Sequence, residues 1–143
     1  MENVISLNLP EGWKSKVEII PGEFGTRQNH AWAMSADGCI EFDINEGEMP
    51  QDSTAQDQAL TNYVDMVGFD DDDPEDFNPI EQWSFNNRKA YGFQVYCEGD
   101  SQLRVLCLEH KRGRLAVCSV EAPDEKSLDS AVMLLERSLR FHS

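Results

Sequence analysis

Residues 80–122, "IEQWSFNNRKAYGFQVYCEGDSQLRVLCLEHKRGRLAVCSVEA", decide the fold. Three turn signals divide the segment into four strand-like runs: Asn86-Asn87, Glu98-Gly99-Asp100 and Lys111-Arg112-Gly113. Asn, Asp and Gly tolerate the positive φ that tight turns demand. Links this short cannot carry a crossover between parallel strands, so the runs form an antiparallel meander. The last two runs are apolar on both faces. Leu103, Val105 and Cys107 oppose Leu106 and Leu108, and Leu115 and Val117 oppose Ala116, Cys118 and Val120. A strand apolar on both faces has to be covered on both faces. These two runs are therefore predicted to be central strands with layers above and below.

The flanking segments supply candidates for those layers. "PDEKSLDSAVMLLERSLRF" (123–141) reads as a helix, with Asp124 as N-cap and Glu125 in the first turn. Arg137 and Arg140 suit the last turn, where the helix dipole favours cations. Leu128, Ala131, Val132, Leu135 and Leu139 form its apolar stripe. Residues 53–67 also carry helical spacing, through Ala59, Leu60, Tyr63, Val64 and Val67. Ser53 and Gln56 fit a capping box, and Gly68 fits the C′ terminator. "HAWAMSADGCIEFDIN" (30–45) reads as a hairpin turning at Asp37-Gly38. Ile40, Phe42 and Ile44 share one face of its second arm, and Glu41 and Asp43 share the other, wet face. "VISLNLP" and "SKVEII", separated by Pro10-Glu11-Gly12, read as a preceding hairpin.

A chain of 143 residues fits a single domain spanning 1–143. The expected class is α+β: an antiparallel sheet flanked by helices, with N-terminal β-hairpins. This order of elements, the opening "ISLNLPEGW" (5–13) and the closing "LERSLRF" (135–141) resemble the PsbP-like fold. That α/β/α sandwich includes the extrinsic photosystem protein, the Ran-binding nuclear import factor and many bacterial domains of unknown function. Within it the chain looks most similar to a small bacterial family of unknown function. The resemblance implies protein binding without catalysis. It carries no catalytic motif, and it transfers no functional residue.

Charge narrows the partners. The net charge is −15, and residues 1–80 hold 18 acidic against 3 basic side chains, while residues 81–143 hold 9 of each. A polyanionic surface repels phosphates, which argues against nucleic acid and anionic membranes as partners. No run approaches the ~20 apolar residues of a membrane-spanning helix. Cys39, Cys97, Cys107 and Cys118 form no Cys-x-x-Cys pair, and each lies in an apolar run. Reduced core thiols are the expectation, with no disulfide and no metal. The start "MENVISLNLPEGW" lacks the basic and apolar regions of a secretory signal, so a cytoplasmic, bacterial-type domain is expected.

The densest acidic stretch is "GFDDDDPEDF" (68–77), where Asp70, Asp71, Asp72, Asp73, Glu75 and Asp76 crowd together. A Ca²⁺-binding EF-hand loop needs Gly at its sixth position, and Glu75 or Asp76 stands there instead. Neighbouring carboxylates ~7 Å apart repel by only about 0.6 kcal/mol in water, so a loop tolerates them without a cation. A solvated loop is the first reading, a docking patch for a basic protein the second, and weak divalent-cation binding the third. Cys107 and His110 lie three apart, which places them on opposite faces of a strand and spoils them as a metal pair. No nucleophile, base and oxyanion donor cluster together, and no glycine-rich phosphate loop is present, so neither an enzyme nor a cofactor is expected. Trp13 follows a turn, and an exposed Trp there would mark a protein-binding patch.

The expected function is a non-catalytic interaction or adaptor domain, monomeric or homodimeric. Its acidic surface comprises Glu41, Asp43, residues 46–52 and residues 70–76, and Trp13 is a further protein-binding candidate. The alternative is an effector chaperone or assembly factor that holds apolar client segments as a dimer.

Overall fold

Strands β7 (Gln102–Lys111) and β8 (Arg114–Ala122) lie inside a seven-stranded antiparallel sheet. Before them come β2 (Lys14–Pro21), β3 (Arg27–Met34), β4 (Glu41–Glu48), β5 (Glu81–Phe85) and β6 (Arg88–Tyr96). The order across the sheet is β2-β3-β4-β8-β7-β6-β5. The computed structural model describes residues 4–21, 27–68 and 79–142. Two helices complete the α+β fold, α1 (Ala55–Met66) and α2 (Glu125–Ser138).

The helices sit on opposite faces, as two-sided burial of β7 and β8 requires. Leu106, Leu108, Ala116, Cys118 and Val120 pack with Leu128, Ala131 and Leu135 of α2. Val105, Cys107 and Leu115 point the other way and pack with Ala55 and Ala59 of α1. The meander's turns fall where the residues demand them. Asn86 and Asn87 both take positive φ, 53° and 65°, between β5 and β6. Gly92 of β6 pairs with Leu106 of β7, and a Cβ there would meet the Val105 carbonyl oxygen at 1.7 Å. Only glycine permits that approach.

Four local expectations need correction. First, "VISLNLP" makes no hairpin with the strand that follows. β1 (Ile5–Leu7) instead pairs antiparallel with β9 (Leu139–Phe141), in register Ile5↔Phe141. Ile5 and Leu139 are both fully buried against the α2 layer, so this two-stranded ribbon closes the main core. Second, α2 ends at Ser138, so Arg140 lies in β9. Its guanidinium still reaches the helix end: Arg140 Nη1 donates to the Leu139 carbonyl at 2.8 Å and to the α2 carbonyl of Glu136 at 3.5 Å. Third, the N-cap of α1 is Thr54, one residue later than expected. Asp57 N–H donates to Thr54 Oγ1, and Thr54 N–H donates back to Asp57 Oδ2, each at 3.1 Å. Fourth, Leu60, Val64 and Val67 are exposed. α1 meets the sheet through the small Ala55 and Ala59, and through Tyr63 edge-on to Phe93 at 5.3 Å.

Candidate functional site

The strand read from "SKVEII" pairs with the first arm of the 30–45 hairpin and not with β1. β2 pairs with β3, and β3 pairs with β4 around Asp37-Gly38, where Gly38 has φ 76°. Their two faces differ sharply. Toward α2, Asn29, Ala31, Ala33, Phe42, Ile44 and Glu46 are all buried. On the opposite face none of the described side chains of β2–β4 is buried. α1 packs over β6 and β7, and no described helix covers this part of the sheet.

The open face carries an ordered row of charges. Lys16 Nζ lies 3.3 Å from Glu18 Oε2 on β2. Across the ladder, the His30 ring has Nδ1 toward Glu18 Oε1 at 3.4 Å and Nε2 against Asp43 Oδ1. The bond to His30, with the neighbouring Lys16 ammonium, holds the Glu18 carboxyl below its ordinary pKa. Trp32 is half-buried between its register partners Lys16 and Asp43. Glu41 stands directly opposite Glu121 on β8. Two like charges facing each other across a ladder are unfavourable, and a cationic group placed between them relieves that. The expected wet face of Glu41 and Asp43 is therefore the open side of the sheet.

Trp13 is not part of this surface. Its ring stacks on Phe42 at 5.1 Å and packs against the α2-side core. Asp70, Asp71, Asp72, Asp73, Glu75 and Asp76 lie outside the described residues. Glu46, expected in an acidic surface loop, is instead a β4 residue on the buried face and is 1% exposed.

Glu46 anchors a second cluster of polar groups. Asn29 Nδ2 donates to Oε1 at 2.8 Å, and Arg114 Nη2 donates to the same oxygen at 2.5 Å. His110 Nε2 and Arg114 Nε donate to Oε2 at 2.6 and 2.8 Å. The His110 ring in turn stacks on Phe141 of β9 at 4.2 Å. Burial alone would push the Glu46 carboxyl up, but the bonds from His110, Arg114 and Asn29 outweigh it and lower its pKa to about 2. No buried side-chain polar atom among the described residues lacks a hydrogen-bond partner. With Glu46 buried and both its oxygens occupied, this cluster reads as a structural tie. It ties β3, β4, β7, β8 and β9 together. A sequence signal for it existed: Glu46 continues the alternation Ile40, Phe42, Ile44 and so shares the core face.

The remaining reactive groups divide by exposure. Cys107 and Cys118 are buried; burial pushes the Cys107 thiol up to about 12 and the Cys118 thiol up as well. Cys39, expected in the core, is exposed beside the β3–β4 turn, and Cys97 is half-buried. All four are free thiols. A groove of about 220 Å³ between α2 and β5 is lined by Trp83, Leu106, Val132 and Met133. Arg104, which also lines it, is already committed to Gln94, Asp129 and the Trp83 ring. Among the described residues no group of three His, Cys, Asp or Glu side chains is arranged to hold a metal ion. Nor is any helix among them long and apolar enough to cross a membrane.

No family model matches the chain, and no curated protein matches it. Among solved structures, it is similar to a crystal structure from Bacteroides thetaiotaomicron VPI-5482, with a TM-score of 0.54 and 11% sequence identity. The match covers 98% of this chain and 46% of that one, so this chain spans less than half the length of the protein it resembles. At that identity the likeness concerns the fold alone.

Proposed function

We propose that the chain is a non-catalytic protein-interaction domain, and that it docks a basic partner on the open face of β2–β4. The observation that carries this reading is the Glu41–Glu121 opposition, which no ion pair among the described residues relieves, with Asp43 and Glu18 beside it and Trp32 at the centre. A lysine or arginine laid over this face would meet Glu41 and Glu121 beside the Glu18 and Asp43 carboxylates that Lys16 and His30 hold in place. Trp32 would give it an aromatic face. The −15 net charge steers a basic partner toward the domain from a distance. Opposite-face placement of α1 and α2 supports the finer assignment to a PsbP-like sandwich. The four free thiols fit a reducing, cytoplasmic setting.

The test is a titration with a lysine- and arginine-rich peptide, followed residue by residue through backbone amide NMR shifts. Shifts should cluster on Lys16–Ile20, His30–Met34, Glu41–Asn45 and Ser119–Glu121, and should vanish at high salt. Charge reversal at Glu41 and Asp43 should weaken binding about tenfold or more, equivalent to about 1.4 kcal/mol. Reversal at Asp70–Asp73, made separately, reports whether that stretch shares the task. Peptide binding that ignores the Glu41/Asp43 reversal overturns this docking face.

A further inference from the structure

We infer that β2 is a self-pairing edge: two copies of this chain join β2 to β2 in antiparallel register centred on Val17. Among the described residues β2 has a ladder partner on one side only, which leaves one row of its backbone N–H and C=O groups without a described strand partner. Pro21 has no N–H to offer and ends the usable edge, leaving Lys14–Ile20, a segment whose midpoint is Val17.

Charge selects the same centre. Paired residues must lie on the same face, so the two-fold axis passes through a residue and not between residues. Centred on Lys16, Lys16 would face its own copy; centred on Glu18, Glu18 would face its own copy. Centred on Val17, Lys16 faces Glu18 of the second copy, and Glu18 faces its Lys16. Both crossings then join opposite charges. Lysine on an edge strand ordinarily discourages pairing. Here Glu18, two residues on and already 3.3 Å from Lys16 within the chain, turns that guard into a self-complementary code. Ile19 and Ile20 are each 37% exposed, and the pairing would cover them with Ser15 and the Lys14 stem of the second copy. The result is a continuous 14-stranded sheet. This inference stands independently of the docking proposal, although it would set the two open acidic faces side by side.

The experiment uses the full chain, with mass measured by light scattering and sedimentation across a concentration series. Wild type should move toward twice 16.2 kDa as concentration rises. Lys16→Glu and Glu18→Lys each place like charges in both crossings, and each should weaken dimerisation at least tenfold. An equimolar mixture of the two variants should recover dimers, because every crossing is then Glu against Lys. A role of the Lys16–Glu18 pair within one chain cannot be restored by mixing. Thermal melts of each variant check that the fold is intact. In a Cys39→Ser background, Val17→Cys should form an intermolecular disulfide on oxidation, while Ser15→Cys, four residues out of register with itself, should not. A wild type that stays at 16.2 kDa throughout, or a mixture that shows no recovery, overturns the inference.

Discussion

Replacing Glu46 with Gln preserves shape and removes charge, and it should destabilise the domain severely. Four donor atoms converge on the two Glu46 oxygens: Asn29 Nδ2, His110 Nε2, and Arg114 Nε and Nη2. A carboxamide keeps one acceptor and turns an NH₂ group toward the remaining donors. Removing one member of a buried ion pair costs about 3–5 kcal/mol. The acidity of Glu46 gives the same scale independently. A fall from 4.5 to about 2 corresponds to about 3 kcal/mol of coupling between the charged carboxylate and its surroundings. For a domain of this size the melting temperature should drop by on the order of 6–20 °C. The sign of the pH dependence follows from the lowered acidity. The stabilisation is fully present above the unfolded-state pKa near 4.5 and is lost as pH falls through about 2. Urea unfolding of both proteins at a series of pH values should therefore show a large gap at pH 7 that narrows across the acid window. The triple change Glu46→Leu, His110→Phe and Arg114→Leu should cost less than Glu46→Gln alone, because it leaves no orphaned charge. A gap below about 1 kcal/mol at pH 7, or one that stays constant through the acid range, would refute the reasoning.

Gly92→Ala should abolish folding or cost more than about 3 kcal/mol, since a Cβ 1.7 Å from the Val105 carbonyl can be accommodated only by parting β6 from β7; near-wild-type melting would show that the strands can separate. Leu135→Asp buries a carboxylate with no partner in the α2 layer and should leave the chain unfolded by circular dichroism; a retained melt would mean that α2 is not packed there. Under native conditions a maleimide probe should label Cys39 rapidly and leave Cys107 and Cys118 untouched until denaturant is added. Peptide mapping by mass spectrometry reads the order, and early labelling of Cys118 would contradict its burial.

The meander was legible because its determinants are local: two-residue and three-residue turn signals, and apolar residues of both parities on β7 and β8. The β1–β9 ribbon was not, because it joins Ile5 to Phe141, at opposite ends of the sequence, through strands of three residues each. Strands that short carry no periodicity that names a partner. The α1 cap was ambiguous for a physical reason. Ser53 with Gln56 and Thr54 with Asp57 are both competent boxes, and only the backbone at Thr54, φ −126° and ψ 167°, selects the second. Trp13 misled because a turn precedes it; the aromatic partner that covers it, Phe42, is supplied by β4. Glu46 misled through composition, since an acidic residue in an acidic region reads as surface. Its parity on β4 carried the contrary information.

The same acidity bears on which part of the sheet α1 can cover. Residues 1–80 carry the whole charge imbalance, and their strands β2, β3 and β4 lie together at one end of the sheet. α1 also comes from this segment, yet it packs on β6 and β7, strands of the charge-balanced remainder. Laid on β2–β4 instead, it would have to desolvate Glu41 and the charged groups Lys16, Glu18, His30 and Asp43 that contact one another there, at several kcal/mol for an ion that loses water without gaining a partner. On β6 and β7 it meets Phe93, Val105 and Cys107, which its Ala55 and Ala59 approach closely. The open acidic face is thus what remains when a small-residue helix takes the apolar half of the sheet. Neutralising Glu18, Glu41 and Asp43 would remove the desolvation penalty that keeps a helix off β2–β4. It would also remove the charges proposed to dock a partner, so under that proposal one set of carboxylates would serve both purposes.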